Sequence, residues 1–347
     1  AQARMRGVEF AGTAILQSEG RELRVHGPTE TDIANAILRV SQAVQQKVCF
    51  LDGHGEADPF NLEQHDHTEG DVGHEHGIGQ KLVTHERHGI AKARHGLEAM
   101  NYVVEKVALM KGDVGLSDCA VLVVAGPKTP LLAAEVRTID EFIHKGGNAL
   151  LMLDPFVTTG LEPVARKLGV VLDNNIVIDE ASHFWADMSA PAVTDYNRHE
   201  ITNKLPLTFF PGARSLSPTP QRVPGTSVRP LINTSKRSYG GTNPQRIEFD
   251  PARDRSGPLT LMALVILNPD FVDATEAIMR ELQGGTAEEK KADKPAEKAA
   301  DPDTPKVISR VVVVGDSDFA TNSFFHILGN GSLFINAVNY LSARKDL

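Results

Sequence analysis

Val48-Cys49-Phe50-Leu51-Asp52-Gly53-His54-Gly55-Glu56 is a short apolar run broken by a polar, glycine-rich motif. A strand covered by helices on both faces has no solvent side, so it reads as an unbroken apolar run rather than an alternation. Three other segments repeat the pattern. Ala120–Ala125 runs into Gly126-Pro127-Lys128, Ala149–Leu153 into Asp154-Pro155, and Val311–Val314 into Gly315-Asp316-Ser317-Asp318-Phe319. In an open α/β sheet, ligands bind outside the carboxyl ends of the parallel strands. The four motifs, scattered from Asp52 to Phe319, are therefore expected to meet on one rim.

Outward from these strands the chain alternates strand and helix. A small β-hairpin is expected from Val8–Leu16 and Glu22–Val25, then a helix spaced on Ile33, Ile37, Val40 and Val44. A helix at about 94–101 precedes a strand at Val103–Leu109, and Pro130-Leu131 opens a helix that Lys145-Gly146-Gly147 ends. A helix over 160–168, a strand near Val170–Ile178, strands Leu259–Leu267 and Val307–Val314, and a helix Ser332–Ala343 follow. This rhythm predicts an α/β fold with a parallel, doubly wound sheet and large loop insertions. Residues 1–45 hold the hairpin and opening helix. Residues 46–283 hold the core, with a His-rich insertion at 52–93 and a proline-rich irregular subdomain at 180–256. Residues 284–306 read as a disordered charged linker, and 307–347 complete the core.

The chain has 347 residues, 41% of them hydrophobic, enough for a sizeable interior. Its net charge of -9, with scattered lysines and arginines, argues against non-specific affinity for nucleic acid or anionic lipid. Cys49 and Cys119 both fall inside expected buried strands and are read as small hydrophobes, because pairing within a sheet is uncommon; a disulfide is the alternative if the strands are neighbours. No stretch reaches the roughly 20 apolar residues of a membrane span. Ala1–Arg6 lacks the apolar segment of a signal peptide, and the chain reads as a fragment whose anchors lie outside it.

Several of these blocks carry a family resemblance. Lys47–Glu56, Leu122–Pro130, Gly146-Gly147, Val314–Asn322, Gly329-Asn330, Asn336–Leu341 and the earlier Glu30–Ala36 occur in the order and spacing of the GldG-like family. That family comprises auxiliary components of uncharacterised ABC transport systems linked to gliding motility. The resemblance implies a fold similar to flavodoxin or to class I glutamine amidotransferases. It also implies an extracytoplasmic or periplasmic domain, membrane-anchored in the full-length protein by flanking helices absent here, with ABC permease and ATPase subunits as partners.

Four constellations carry candidate chemistry. The rim would gather Asp52, His54, Glu56, Lys128, Asp154, Asp316, Ser317, Asp318 and Asn322 into a pocket for a polar ligand; the bland reading is that they cap helices and shape turns. His65, His67, His74, His76, His85 and His88 are ligand types suited to a divalent transition metal (Zn, Cu or Ni), against a solvated loop with incidental histidines. A glutamine-amidotransferase-like enzyme would need a nucleophile at the elbow where this chain has Ala125-Gly126-Pro127-Lys128, so a non-catalytic fold is expected. Phe184-Trp185 would either stack on a ligand or partner, or anchor an irregular loop. The leading reading is a non-enzymatic auxiliary domain that binds a substrate or partner and couples it to the permease. A metal-dependent hydrolase using rim carboxylates and histidines, and a structural scaffold of a cell-surface complex, are the alternatives.

Overall fold

The apolar runs are strands of one sheet whose two faces are both covered. The structure, a computed structural model, describes residues 13–18, 21–26, 29–30, 33, 36–37, 40, 45–63, 89–111, 115–243, 248–268 and 308–342. The central sheet has nine strands: β1 Lys47–Leu51, β2 Val103–Val107, β3 Cys119–Ala125, β4 Ala149–Met152, β5 Val170–Leu172, β6 Leu216–Pro218, β7 Thr226–Asn233, β8 Thr260–Leu267 and β9 Ser309–Val314. Their order is β2-β1-β3-β4-β9-β8-β6-β5, with β7 also paired to β8.

Among the described residues, four helices flank this sheet: α1 Ala91–Ala99, α2 Ala133–His144, α3 Glu162–Lys167 and α4 Asn330–Ser342. Successive strand residues point to opposite faces. Phe50, Val123, Leu150 and Val312 therefore pack with Leu97 of α1 and Phe334 and Val338 of α4. Leu51, Leu122, Leu151 and Val313 pack on the other face with Ile139 and Ile143 of α2 and Val164 of α3.

The expected wholly parallel sheet needs correction. Strands β2, β1, β3, β4 and β9 are mutually parallel, but β8 runs antiparallel to β9, and β7 antiparallel to β8. The sheet is thus mixed. Unbroken apolarity in β8 reports burial on both faces, not strand direction. The β7–β8 connection carries no helix among its described residues, and an antiparallel return needs no helical crossover. The expected strand at Val170–Ile178 also splits. Its first part is β5, while Ile176–Asp179 joins Ser238–Gly241 and Arg255–Ser256 in a separate small sheet. The irregular region also holds a three-stranded sheet of His183–Phe184, Asp187–Val193 and Thr208–Phe209. The N-terminal hairpin pairs Thr13–Ser18 with Arg21–His26. The metal-ligand histidines His65, His67, His74, His76, His85 and His88, and the linker 284–306, lie outside the described residues.

The cysteine reading is corrected as well. β1 and β3 are direct neighbours, and Cys49 and Cys119 lie on the same sheet face in a disulfide with Cα atoms 5.7 Å apart. A register irregularity at Lys47–Val48, opposite Cys119, brings the pair into reach. The bridge joins residues 70 apart in sequence and so removes loop freedom from the unfolded chain. Replacing both cysteines by alanine is expected to cost about 4 kcal/mol of unfolding free energy. Denaturant unfolding of the oxidised protein beside the double variant measures it, and equal midpoints would refute the constraint.

Candidate functional site

Three strand ends converge on the carboxylate of Asp154, which follows β4. Its Oδ1 accepts from the Ser317 amide at 2.7 Å, and its Oδ2 from the Ser317 hydroxyl at 2.9 Å and the Lys128 ammonium at 2.6 Å. Ser317 comes from the turn after β9 and Lys128 from the turn after β3. The approach is close enough to dictate a glycine. A Cβ on Gly126 would lie 2.2 Å from Ser317 Oγ and 2.7 Å from Asp154 Oδ2, and its φ is +63°. Behind the rim, buried Arg214 donates to the carbonyls of Asp173 at 2.7 Å, Asp154 at 3.1 Å and Leu172 at 3.2 Å.

The two aspartates of the β9 turn are used differently. Asp316 is buried, and its oxygens accept from the amides of Asp318 at 2.9 Å and Phe319 at 3.1 Å, so it shapes the turn. Burial, then Asp318 and Asp154, push its carboxyl well above the ordinary value. Among the described residues no hydrogen-bond donor sits on the Asp318 carboxylate. Burial and Asp154 push it up to about 7, against the pull of Lys128. Burial would lower the Lys128 ammonium, but Asp154, Asp318 and Asp316 outweigh it and raise it.

The remaining expected rim residues fall into separate groups. His54 and Glu56 turn inward and join Glu135, which sequence reasoning missed. His54 Nε2 lies 2.9 Å from Glu135 Oε2, and its Nδ1 3.4 Å from Glu56 Oε1, with all three residues buried. Glu135 also caps α2 at the Leu132 amide, 2.8 Å away. The backbone carbonyl of His54 accepts from the amides of Lys128 and Thr129, so this buried trio holds the lysine loop. A glutamate at the third position of a helix is a capping signal, and that pattern could have flagged Glu135. Asp52 faces the sheet edge, 3.1 Å from Lys106. Asn322 is buried away from Asp154. Its Nδ2 donates to the carbonyls of Asn61 at 2.8 Å and Glu63 at 2.9 Å, and its Oδ1 accepts from the Lys92 amide at 2.9 Å. It thus clasps together the two chain segments that lead into and out of residues 64–88.

The aromatic pair divides. Phe184 stacks on Phe209 at 3.9 Å, which anchors the loop, while Trp185 is 65% exposed. Among the described residues no group of three or more His, Cys, Asp or Glu is placed to hold a metal ion. No helix among them is long and apolar enough to cross a membrane.

A family model described as an ABC-type uncharacterized transport system, for its auxiliary protein, matches residues 45–339. The chain belongs to that family. The match takes in every rim residue of this auxiliary protein, from Asp52 to Asn322. Among solved structures, the auxiliary protein is similar to the mmIFT52 N-terminal domain, with a TM-score of 0.51 at 12% identity over 86% of this chain and 99% of that one. At that identity the likeness is one of fold. No curated protein sequence matches the chain.

Two outcomes follow from the rim geometry. Gly126→Ala forces a methyl group into Ser317 and Asp154 and is expected to cost about 1–3 kcal/mol, read by denaturant unfolding; an unaffected midpoint would mean the strand ends can part freely. Asp318 binds its proton more tightly folded than unfolded, so stability falls as pH rises from the ordinary 3.8 towards 7 and stays lower above. Asp318→Asn should flatten the stability profile in that window and exceed the wild type above it, as thermal unfolding across pH would reveal.

Proposed function

We propose that this auxiliary domain works on the extracytoplasmic side, binds a polar substrate or partner segment at the rim around Lys128 and Asp318, and couples it to the permease without catalysing a reaction. The observation that carries this reading is the division of labour at the rim. Asp154 and Asp316 spend their oxygens on the fold, whereas Asp318 keeps an unpartnered carboxylate beside Lys128. A charge held at a cost to stability is the usual mark of a working site.

The sheet order supports the location. We read the parallel block β2-β1-β3-β4-β9 as flavodoxin-like and doubly wound, with the direction of winding changing between β1 and β3. His54 follows β1 and Lys128 follows β3, so the rim surrounds that crevice. The Cys49–Cys119 bridge supports an oxidising compartment, where disulfides persist. The groups at the rim support a non-catalytic role. The elbow Gly126-Pro127 offers no nucleophile, and the Ser317 hydroxyl donates to a carboxylate already bound by lysine.

Asp318→Asn and Lys128→Met, each introduced into the full-length protein, are expected to abolish the transport-linked phenotype while the domain stays folded. Glu141→Gln, on an exposed part of α2, serves as the control. Normal transport by both rim variants would remove the rim from the mechanism.

A further inference from the structure

One face of the sheet, away from the rim, carries two arginines, Arg310 near the end opposite the rim and Arg229 at mid-strand. Arg310 of β9 lies opposite Ile266 of β8, and Arg229 of β7 lies opposite Leu264. Ile266 and Leu264 are two apart on one strand, so both arginines project from the same sheet face and flank β8, their Cα atoms about 12 Å apart across two strand spacings and two residues. Tyr340, near the end of α4, organises the cluster. The Arg310 guanidinium lies 4.9 Å over its ring and donates to its carbonyl at 3.0 Å, and His199 meets the ring edge-on at 4.6 Å. His199 Nδ1 accepts from the Ile201 amide at 3.2 Å, which leaves Nε2 as the free donor of a neutral ring. Burial, then Arg229 and Arg310, push this imidazole below its ordinary value, and Glu200 opposes them.

Neither arginine has a carboxylate partner among the described residues, and Glu200 is the acidic group that His199 feels beside them. In a chain of net charge -9 this local excess of guanidinium is out of character. Where the cluster sits also matters. Gln46 Nε2 donates to the Ser342 carbonyl at 3.1 Å, so the first and last residues of the core meet at this end, two positions from Tyr340.

We infer that Arg229, Arg310, His199 and Tyr340 form a docking surface for the phosphate headgroups of an anionic bilayer. The inference rests on the proposed placement beside a membrane permease and adds to it a membrane-facing end. Guanidinium groups offer paired donors to phosphate oxygens. The imidazole and phenol supply neutral donors, and an aromatic ring suits the headgroup level, where one edge is wet and the other apolar.

The full chain would be sedimented with vesicles of phosphatidylcholine, with and without phosphatidylglycerol, at low and high salt. Binding is expected to require phosphatidylglycerol and to weaken with salt. Arg229 is exposed, so Arg229→Gln should fold normally and lower partitioning about fivefold, while Glu200→Gln should raise it by about the same factor. Glu141→Gln, on an exposed part of α2, should bind as the wild type does. Equal binding to neutral vesicles, indifference to Arg229→Gln, or loss of binding to millimolar inorganic phosphate (a site for free phosphate instead) would overturn the inference. The two readings fail separately: transport-competent rim variants with vesicle binding intact sink the rim alone, and absent vesicle binding with inactive rim variants sinks the docking surface alone.

Discussion

One buried carboxylate, accepting from two other strand ends, sets the shape of the rim. A carboxylate taken out of water is tolerated only where donors replace the lost hydration. Asp154 finds an amide and a hydroxyl from the β9 turn and an ammonium from the β3 turn. Those donors lie on separate segments, so satisfying Asp154 draws three strand ends together until a glycine is needed at position 126. Arg214 extends the constraint inward. Its bonds to three backbone carbonyls tie the region after β5 to the back of the rim. At Gly315 the same crowding recurs, since a Cβ there would lie 2.0 Å from the Arg214 carbonyl.

With Asp154 fixed, the neighbouring aspartates cannot be equivalent. Three carboxyl groups around one lysine leave more negative charge than the ammonium can offset. Asp316 gains turn amides in return for burial, but Asp318 gains none, and both are pushed above the ordinary carboxyl range. Protonating Asp318 relieves the repulsion, and so would a ligand that brings a hydrogen-bond donor or a positive charge. An anionic ligand would add to the negative charge already gathered around Lys128. The rim as built therefore favours donor-rich, neutral or cationic chemistry.

The strand ends and their motifs were legible in the sequence because unbroken apolar runs report burial on both faces, and glycine, proline and aspartate report the turns after them. Lys128, Asp154, Asp316, Ser317 and Asp318 come together as those motifs implied. Strand direction was not legible, since β8 is as apolar as its parallel neighbours. Nor was the disulfide, which depends on β1 and β3 being adjacent and on a register irregularity that no spacing reveals. His54, Glu56 and Asn322 occur in the right loops but turn away from Asp154, because a side chain's direction at a strand end is set by its partners. Glu135 and Arg214 are distant in sequence, and their partners are supplied by the fold.

The sheet carries the rim at one end and Arg310 near the other, with little room for internal motion between them. The parallel strands run towards the carboxylate end, and a five-residue strand such as β1 spans only about 17 Å. Both faces are covered by helices that interdigitate with it, and such interiors are close-packed and transmit displacement instead of absorbing it. The disulfide adds a covalent tie between β1 and β3. Under the proposed function, a ligand at the rim would thus act on a membrane-embedded partner through reorientation of the whole domain more readily than through rearrangement of its core. The rim loops are the exception. They are held by side-chain contacts at Asp154 and Asn322 together with backbone bonds such as those from the Lys128 and Thr129 amides to the His54 carbonyl, so a ligand that competes for the side-chain contacts would act on the loops before the strands beneath.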